Sequence, residues 1–530
     1  VRRHLVLIAL VACSSSGKPE QAPPPAPPRP VRGSIVADST IAARDYIGPA
    51  ACAECHPDEH ARWSTSLHSI MNQQAIPGAV VGKLDRVIEY GGGTVTLARS
   101  GGDFTMTVAK GERSVRYRVT RTIGKRGLQE YVGIEDGGAG DEVRLPFGWW
   151  PRRGGWYPQP YFDPWLTEDG FDAYAPVREP WAERCPWCHS TYPFEQRIAR
   201  GSGPRQLGHG LEQYFESVPG SDRLATAQQV TVGISCESCH LGGRAHAAGA
   251  PIHFVPVGAT PRAGAPVPTT FAAERKDPAI ANGVCAQCHS GPSPRFVDRT
   301  ATRNSSEALD LAASPCTTAR CVDCHDPHRA DSRVDEARAI AACTTCHARL
   351  ADRAAARAHA GHDGVSCLDC HMPRMVMGID RYVRTHRISS PTDRAMLAVA
   401  APNACNLCHL DRPIRWTVDE LRAGYEVRLD PRAWDGYGEA EASVGDVWLA
   451  SKQPAIRLIA AAAYARSPLG RYALAELLRL LDDPLPYVRT WAVFAVEDIV
   501  GRKLRDDEYD PRLPAEARRR QLERLEPRLR

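Results

Sequence analysis

Residues 364–373 read GVSCLDCHMP, and within them Cys367, Cys370 and His371 form the pattern Cys-x-x-Cys-His. Upstream the pattern recurs at Cys343-Cys346-His347, Cys321-Cys324-His325, Cys285-Cys288-His289, Cys236-Cys239-His240, Cys185-Cys188-His189 and Cys52-Cys55-His56. Downstream it recurs once more, at Cys405-Cys408-His409. The eight copies use all but two of the 18 cysteines. Random placement of 18 Cys and 18 His in 530 residues would give roughly 0.02 copies. The pattern is therefore a specification.

Its spacing has a chemical reason. Two thiols three positions apart reach the two vinyl groups of one haem as thioethers, and the imidazole that follows is held under the iron. The sixteen motif cysteines are thus expected to attach eight haem c groups, with His56, His189, His240, His289, His325, His347, His371 and His409 as proximal iron ligands. Zinc would take its four ligands from paired Cys-x-x-Cys units and gives no reason for a His after every second cysteine. A disulfide framework explains the histidines no better. Cys316 stands outside the pattern, and a buried free thiol is its plain reading.

The composition, 43% hydrophobic and 24% charged, is that of a globular protein of two to four domains. At the amino terminus, Arg2-Arg3 and the apolar run Leu5–Ala12 form a signal-peptide pattern, expected over 1–12 and too short to span a bilayer as a helix. It ends Leu10-Val11-Ala12-Cys13, which resembles the bacterial lipobox, so Cys13 is the candidate lipidation site. A Ser- and Pro-rich spacer continues to residue 44, and Ser14 leans the sorting towards the outer membrane. The formal charge of +4 misleads, because haem propionates would take an oxidised eight-haem protein, without its leader, to roughly −6. A nucleic-acid partner is not indicated.

Residues 45–79 form a first haem segment, separated from the other motifs by a long gap. Within the gap Phe104, Met106 and Val108 alternate with Thr105 and Thr107, and Val115, Tyr117 and Val119 alternate with Arg116 and Arg118. With glycine clusters at 91–93 and 101–102 as turns, a small antiparallel β insertion is expected over 80–145. An aromatic-rich connection follows at 146–180, its rings expected to pack on haem planes or on the sheet. The multihaem core, with seven motifs in short helices and loops, is expected over 181–415.

Beyond it the character changes. PAIRLIAAAAY (454–464) aligns with PYVRTWAVFAV (486–496) at an offset of 32, and an apolar helical run lies between. The period and Asp483-Pro-x-x-x-Val-Arg resemble HEAT repeats, predicting an all-α, HEAT-like region over 416–530 that docks its apolar face on the core or on a partner protein.

The words around the motifs, Gly233-Ile-Ser-Cys-Glu-Ser-Cys-His-Leu-Gly-Gly, Cys321-Val-Asp-Cys-His-Asp-Pro-His and Pro402-Asn-Ala-Cys-Asn-Leu-Cys-His, resemble those of exported bacterial multihaem (octahaem) c-type cytochromes. The group includes the tetrahaem cytochrome c of ammonia oxidisers and the hydroxylamine oxidoreductase superfamily. The resemblance implies a second axial histidine at most haems and, by local context, points to His68, His246, His328, His362 and His386. His60, His209, His253 and His359 complete the supply.

Electron transfer is the first function this implies, in the periplasm or at the outer membrane, between redox partner proteins or a quinol-oxidising complex. The alternative is an octahaem oxidoreductase acting on a small nitrogen or sulfur compound at one five-coordinate haem. The chain lacks Cys-x-x-Cys-Lys and a recognisable cross-linking tyrosine context, which weigh against it. A structural or adhesive role for the tail leaves most of the motif-bearing chain unexplained.

Overall fold

The computed structural model describes residues 39–529 except 139, 178, 201–209, 222, 266–269, 330–334 and 440. All of these belong to one compact unit, Asp38–Arg530. The expected leader, Cys13 and most of the Pro-rich spacer lie outside the described residues. The architecture is mixed, mostly short helices with an antiparallel sheet.

Strands β1 (Asn72–Gln74), β2 (Arg86–Tyr90), β3 (Gly93–Ser100), β4 (Asp103–Lys110), β5 (Arg113–Ile123), β6 (Glu130–Glu135) and β7 (Val143–Arg144) form the sheet. Its order is a meander from β2 to β7, with β1 on β5. At the β2–β3 and β3–β4 turns both central glycines have positive φ, 55° and 79° at Gly91-Gly92 and 61° and 105° at Gly101-Gly102. That backbone matches the strand twist and is closed to most L side chains. β5 outruns β4 beyond the Phe104–Val119 pair, and β1 takes the vacated edge through Asn72–Ile123. The sheet thus begins within the first haem segment and ties that segment to β5.

One face of the sheet buries Val95, Leu97, Phe104, Met106, Val108, Tyr117 and Val119, as the alternation predicts. An aromatic hairpin, β8 (Phe147–Trp150) and β9 (Gly155–Pro158), covers it. Because successive strand side chains point to opposite faces, the hairpin is apolar on both sides. Phe147, Trp149 and Trp156 join the sheet core, whereas Trp150 and Tyr157 join the core of the carboxy-terminal helices. Gly148, between them, leaves room for Phe162, whose ring a Cβ there would meet at 3.0 Å.

The tail contains helices Ile414–Tyr425, Val444–Leu449, Pro454–Arg466, Leu474–Arg479, Pro486–Val500 and Ala515–Leu529. The two aligned words both become helices with proline in the first turn, where its missing N–H is harmless. Arg457 pairs with Asp483 at 2.6 Å across the turn. Fully buried Arg489 donates to the Asp483 carbonyl at 2.8 Å and to the Tyr161 hydroxyl at 3.2 Å. The tail docks on the hairpin through Trp150 against Phe494 (5.0 Å between centroids), the buried Arg153–Glu497 pair and Arg152 on the Phe494 carbonyl. Among the described residues no helix is long and apolar enough to cross a membrane.

Candidate haem sites

Each motif is one helical turn. The His N–H donates to the carbonyl of the first cysteine at 2.9 Å in the copies at His56, His240, His289, His325 and His347, 3.0 Å at His409 and 3.2 Å at His189. Cys367–His371 is itself helical. Positions i, i+3 and i+4 of a helix share a face, so this turn aims both thiols and the imidazole the same way. Local side chains stiffen it: Asp369 accepts from the Ser366 N–H at 3.0 Å and pairs with Arg384 at 2.7 Å.

Six proximal imidazoles face a second imidazole. The ring centroids lie 6.2 Å apart for His56–His246, 6.5 Å for His289–His68 and 6.3 Å for His240–His328. They lie 6.1 Å apart for His325–His386, 6.2 Å for His371–His359 and 6.1 Å for His409–His362. A metal between two imidazoles needs two bonds of about 2 Å plus about 1.1 Å from each nitrogen to its ring centre, a total of about 6.2 Å. The spacing fits a haem iron held between the two rings.

The outward nitrogens are held where a ligand needs them. Nδ1 of His371 faces the Ser389 carbonyl at 2.7 Å, that of His246 the Ala250 carbonyl at 2.9 Å and that of His362 the Ala360 carbonyl at 2.7 Å. With Nδ1 so engaged, Nε2 is left for the metal. His289 Nδ1 meets Glu307 at 3.1 Å; burial pulls this imidazole down, but the carboxylate outweighs it and raises it to about 9. Burial, followed by the neighbouring His328, lowers His240 to about 4 and keeps it neutral.

All five distal histidines expected from context thus come opposite a proximal one. His359, outside the five that local context singles out, lies opposite His371. His359 lies in the last turn of the helix Arg353–Ala360, and Gly361, at φ 65°, reverses the chain so that His362 turns to His409. The His-x-x-His spacing across a glycine ties His359 to His362 and is the signal that could have found it.

His189 and His347 have no facing imidazole among the described residues. The buried His189 ring meets Trp181 at 6.0 Å, and its Nδ1 has no hydrogen-bond partner. Burial, then Arg144, lowers this imidazole to about 4. His60 packs on Trp63 at 5.2 Å. His253 bonds through Nδ1 to fully buried Glu274 at 2.7 Å. His209 lies outside the described residues.

The motifs also touch one another. Glu237, inside the Cys236–His240 copy, accepts from Ile47 N–H at 3.0 Å and Gly48 N–H at 2.8 Å at the start of the first motif's helix. Asn282 accepts the Cys321 N–H at 2.9 Å, joining the copies at 285 and 321. Arg338 donates to the Val322 carbonyl at 2.8 Å, joining those at 321 and 343.

Residues 354–447 match the family model Cytochrome c552. The stretch holds the last two motifs together with His359, His362 and His386. Among solved structures the chain is similar to "Crystal Structure of Outer Cell Wall Cytochrome OcwA", at 16% identity and a TM-score of 0.38, with 92% of this chain and 100% of that chain covered. No curated protein matches. With the Cytochrome c552 segment at 354–447 and six further copies of its haem-attachment motif before it, the chain is a multihaem c-type cytochrome.

Proposed function

We propose that the protein is an exported electron-transfer cytochrome that carries eight haem c groups and works in the periplasm or at the outer membrane, anchored through Cys13. The six facing imidazole pairs carry this reading, since two axial histidines leave an iron no position for substrate. Bound haem would supply a one-electron iron couple at each motif. This chain's cysteines would fix the group covalently, its facing imidazole pairs would hold the iron, and the carbonyls of Ser389, Ala250 and Ala360 hold ring orientation.

Redox partner proteins, including a quinol-oxidising complex, are the proposed donors or acceptors, and the HEAT-like tail is a proposed docking surface for them. The aligned helices Pro454–Arg466 and Pro486–Val500 support the repeat reading.

One observation favours a second reading, an oxidoreductase acting on a small nitrogen or sulfur compound: His189 and His347 lack a facing imidazole among the described residues. Electron paramagnetic resonance of the ferric holoprotein separates the two. Uniformly low-spin signals and no carbon monoxide binding by the reduced protein fit the carrier; a high-spin, ligand-accessible haem with turnover of nitrite or hydroxylamine fits the enzyme.

A further inference from the structure

Resting on the reading that the motifs at 185–189 and 285–289 each hold a haem, we propose that Arg197 is a positioning residue. Its fixed charge raises the reduction potentials of those two sites. Arg197 comes from the short helix Phe194–Ile198 and is only 4% exposed. It reaches both motifs at once. Its Nη2 donates to the Trp187 carbonyl, inside the first motif, at 2.8 Å, and the guanidinium stands over the Trp187 ring at 5.4 Å. It also lies against the Cys288 sulfur of the second motif. The two motifs abut here, with the Cys288 thiol 3.7 Å from the Trp187 carbonyl and the Cys188 thiol 3.8 Å from that of Cys288.

The guanidinium keeps its charge despite burial, because arginine does not deprotonate in proteins. Nη1 is buried with no hydrogen-bond partner. Such a cation is poorly screened, and it disfavours the ferric form, which carries one more positive charge than the ferrous form. Glu212, also 4% exposed, is the carboxylate in electrostatic range and acts in the opposite sense. Arg144, a partly buried guanidinium near His189 of the first of these motifs, is different. Its charge is countered by Glu130 at 2.5 Å, Asp163 at 3.0 Å and Glu179 at 3.5 Å.

The test uses the mature holoprotein and the variants Arg197→Met, Arg197→Lys and Glu212→Gln, with haem content counted first and a spectroelectrochemical titration second. In Arg197→Met one or two couples should move down so that the reduced-to-oxidised ratio at a fixed potential falls about tenfold, or about 59 mV for a one-electron couple. Arg197→Lys should return most of the shift, and Glu212→Gln should move the same couples up. An Arg197→Met titration that superimposes on the wild type overturns the proposal, as do equal shifts in the Lys and Met variants, which would mean packing and not charge. If Arg197→Met does not fold, an unchanged titration in Glu212→Gln overturns it. Wild-type protein without haem at these motifs would instead defeat the reading on which the proposal rests.

Discussion

His240 and His328 face each other with ring planes 4° apart and centroids 6.3 Å apart, although they come from different motif neighbourhoods of the chain. Nothing but the fold holds them so, since His328 follows the motif at 321–325 and faces the one at 236–240. His328→Ala should therefore convert one haem of the holoprotein from low spin to high spin and let it bind carbon monoxide. His60→Ala, which removes a ring packed on Trp63, should leave the spectrum unchanged. Equal spectra for both variants would refute the pairing.

Thioether attachment survives denaturation. Fully matured chain should retain eight haems in a denatured haemochrome assay and by intact mass, one for each motif. A count of six or fewer would sink the motif-by-motif reading.

Glu307 meets Nδ1 of His289 at 3.1 Å, and with iron bound at this ring the carboxylate would lend it anionic character and favour the ferric form. Glu307→Gln should raise one haem couple by about 59 mV, a tenfold change in its reduced-to-oxidised ratio. A redox titration checks it, and a downward shift would contradict the argument.

Trp150 is fully buried between the hairpin and the tail, against Phe494 and Trp491. Trp150→Ala should cost about 3–5 kcal/mol and expose the tail to limited proteolysis. Trp165, 57% exposed, serves as control, and its replacement by Ala should leave the melting temperature nearly unchanged.

Arg153 and Glu497 form a buried pair, with side chains 2% and 3% exposed. Removing Glu497 leaves the buried Arg153 charge only the half-exposed Asp506 at 3.0 Å, so Glu497→Met should lower stability by about 3 kcal/mol. The double variant Arg153→Met/Glu497→Met should lose less than the sum of the two single variants. Strict additivity in thermal unfolding would show that the pair is not coupled.

The sequence by itself determined the chemistry of each attachment turn. Cys, Cys and His at i, i+3 and i+4 are local, and one helical turn aligns them whatever surrounds it. The same holds for the strands of 86–123, whose alternation and glycine pairs state register and turns, and for the proline-led helices at 454 and 486. Only the tertiary structure decided which imidazole faces which. His68 crosses to His289, and His359 and His362, three residues apart, go to different motifs because Gly361 turns the chain between them. It alone also set Arg197 between two motifs and gave the two faces of one aromatic hairpin to different cores. Local geometry depends on neighbours in sequence, whereas axial pairing and buried charge depend on contacts between distant segments, and no short pattern encodes those.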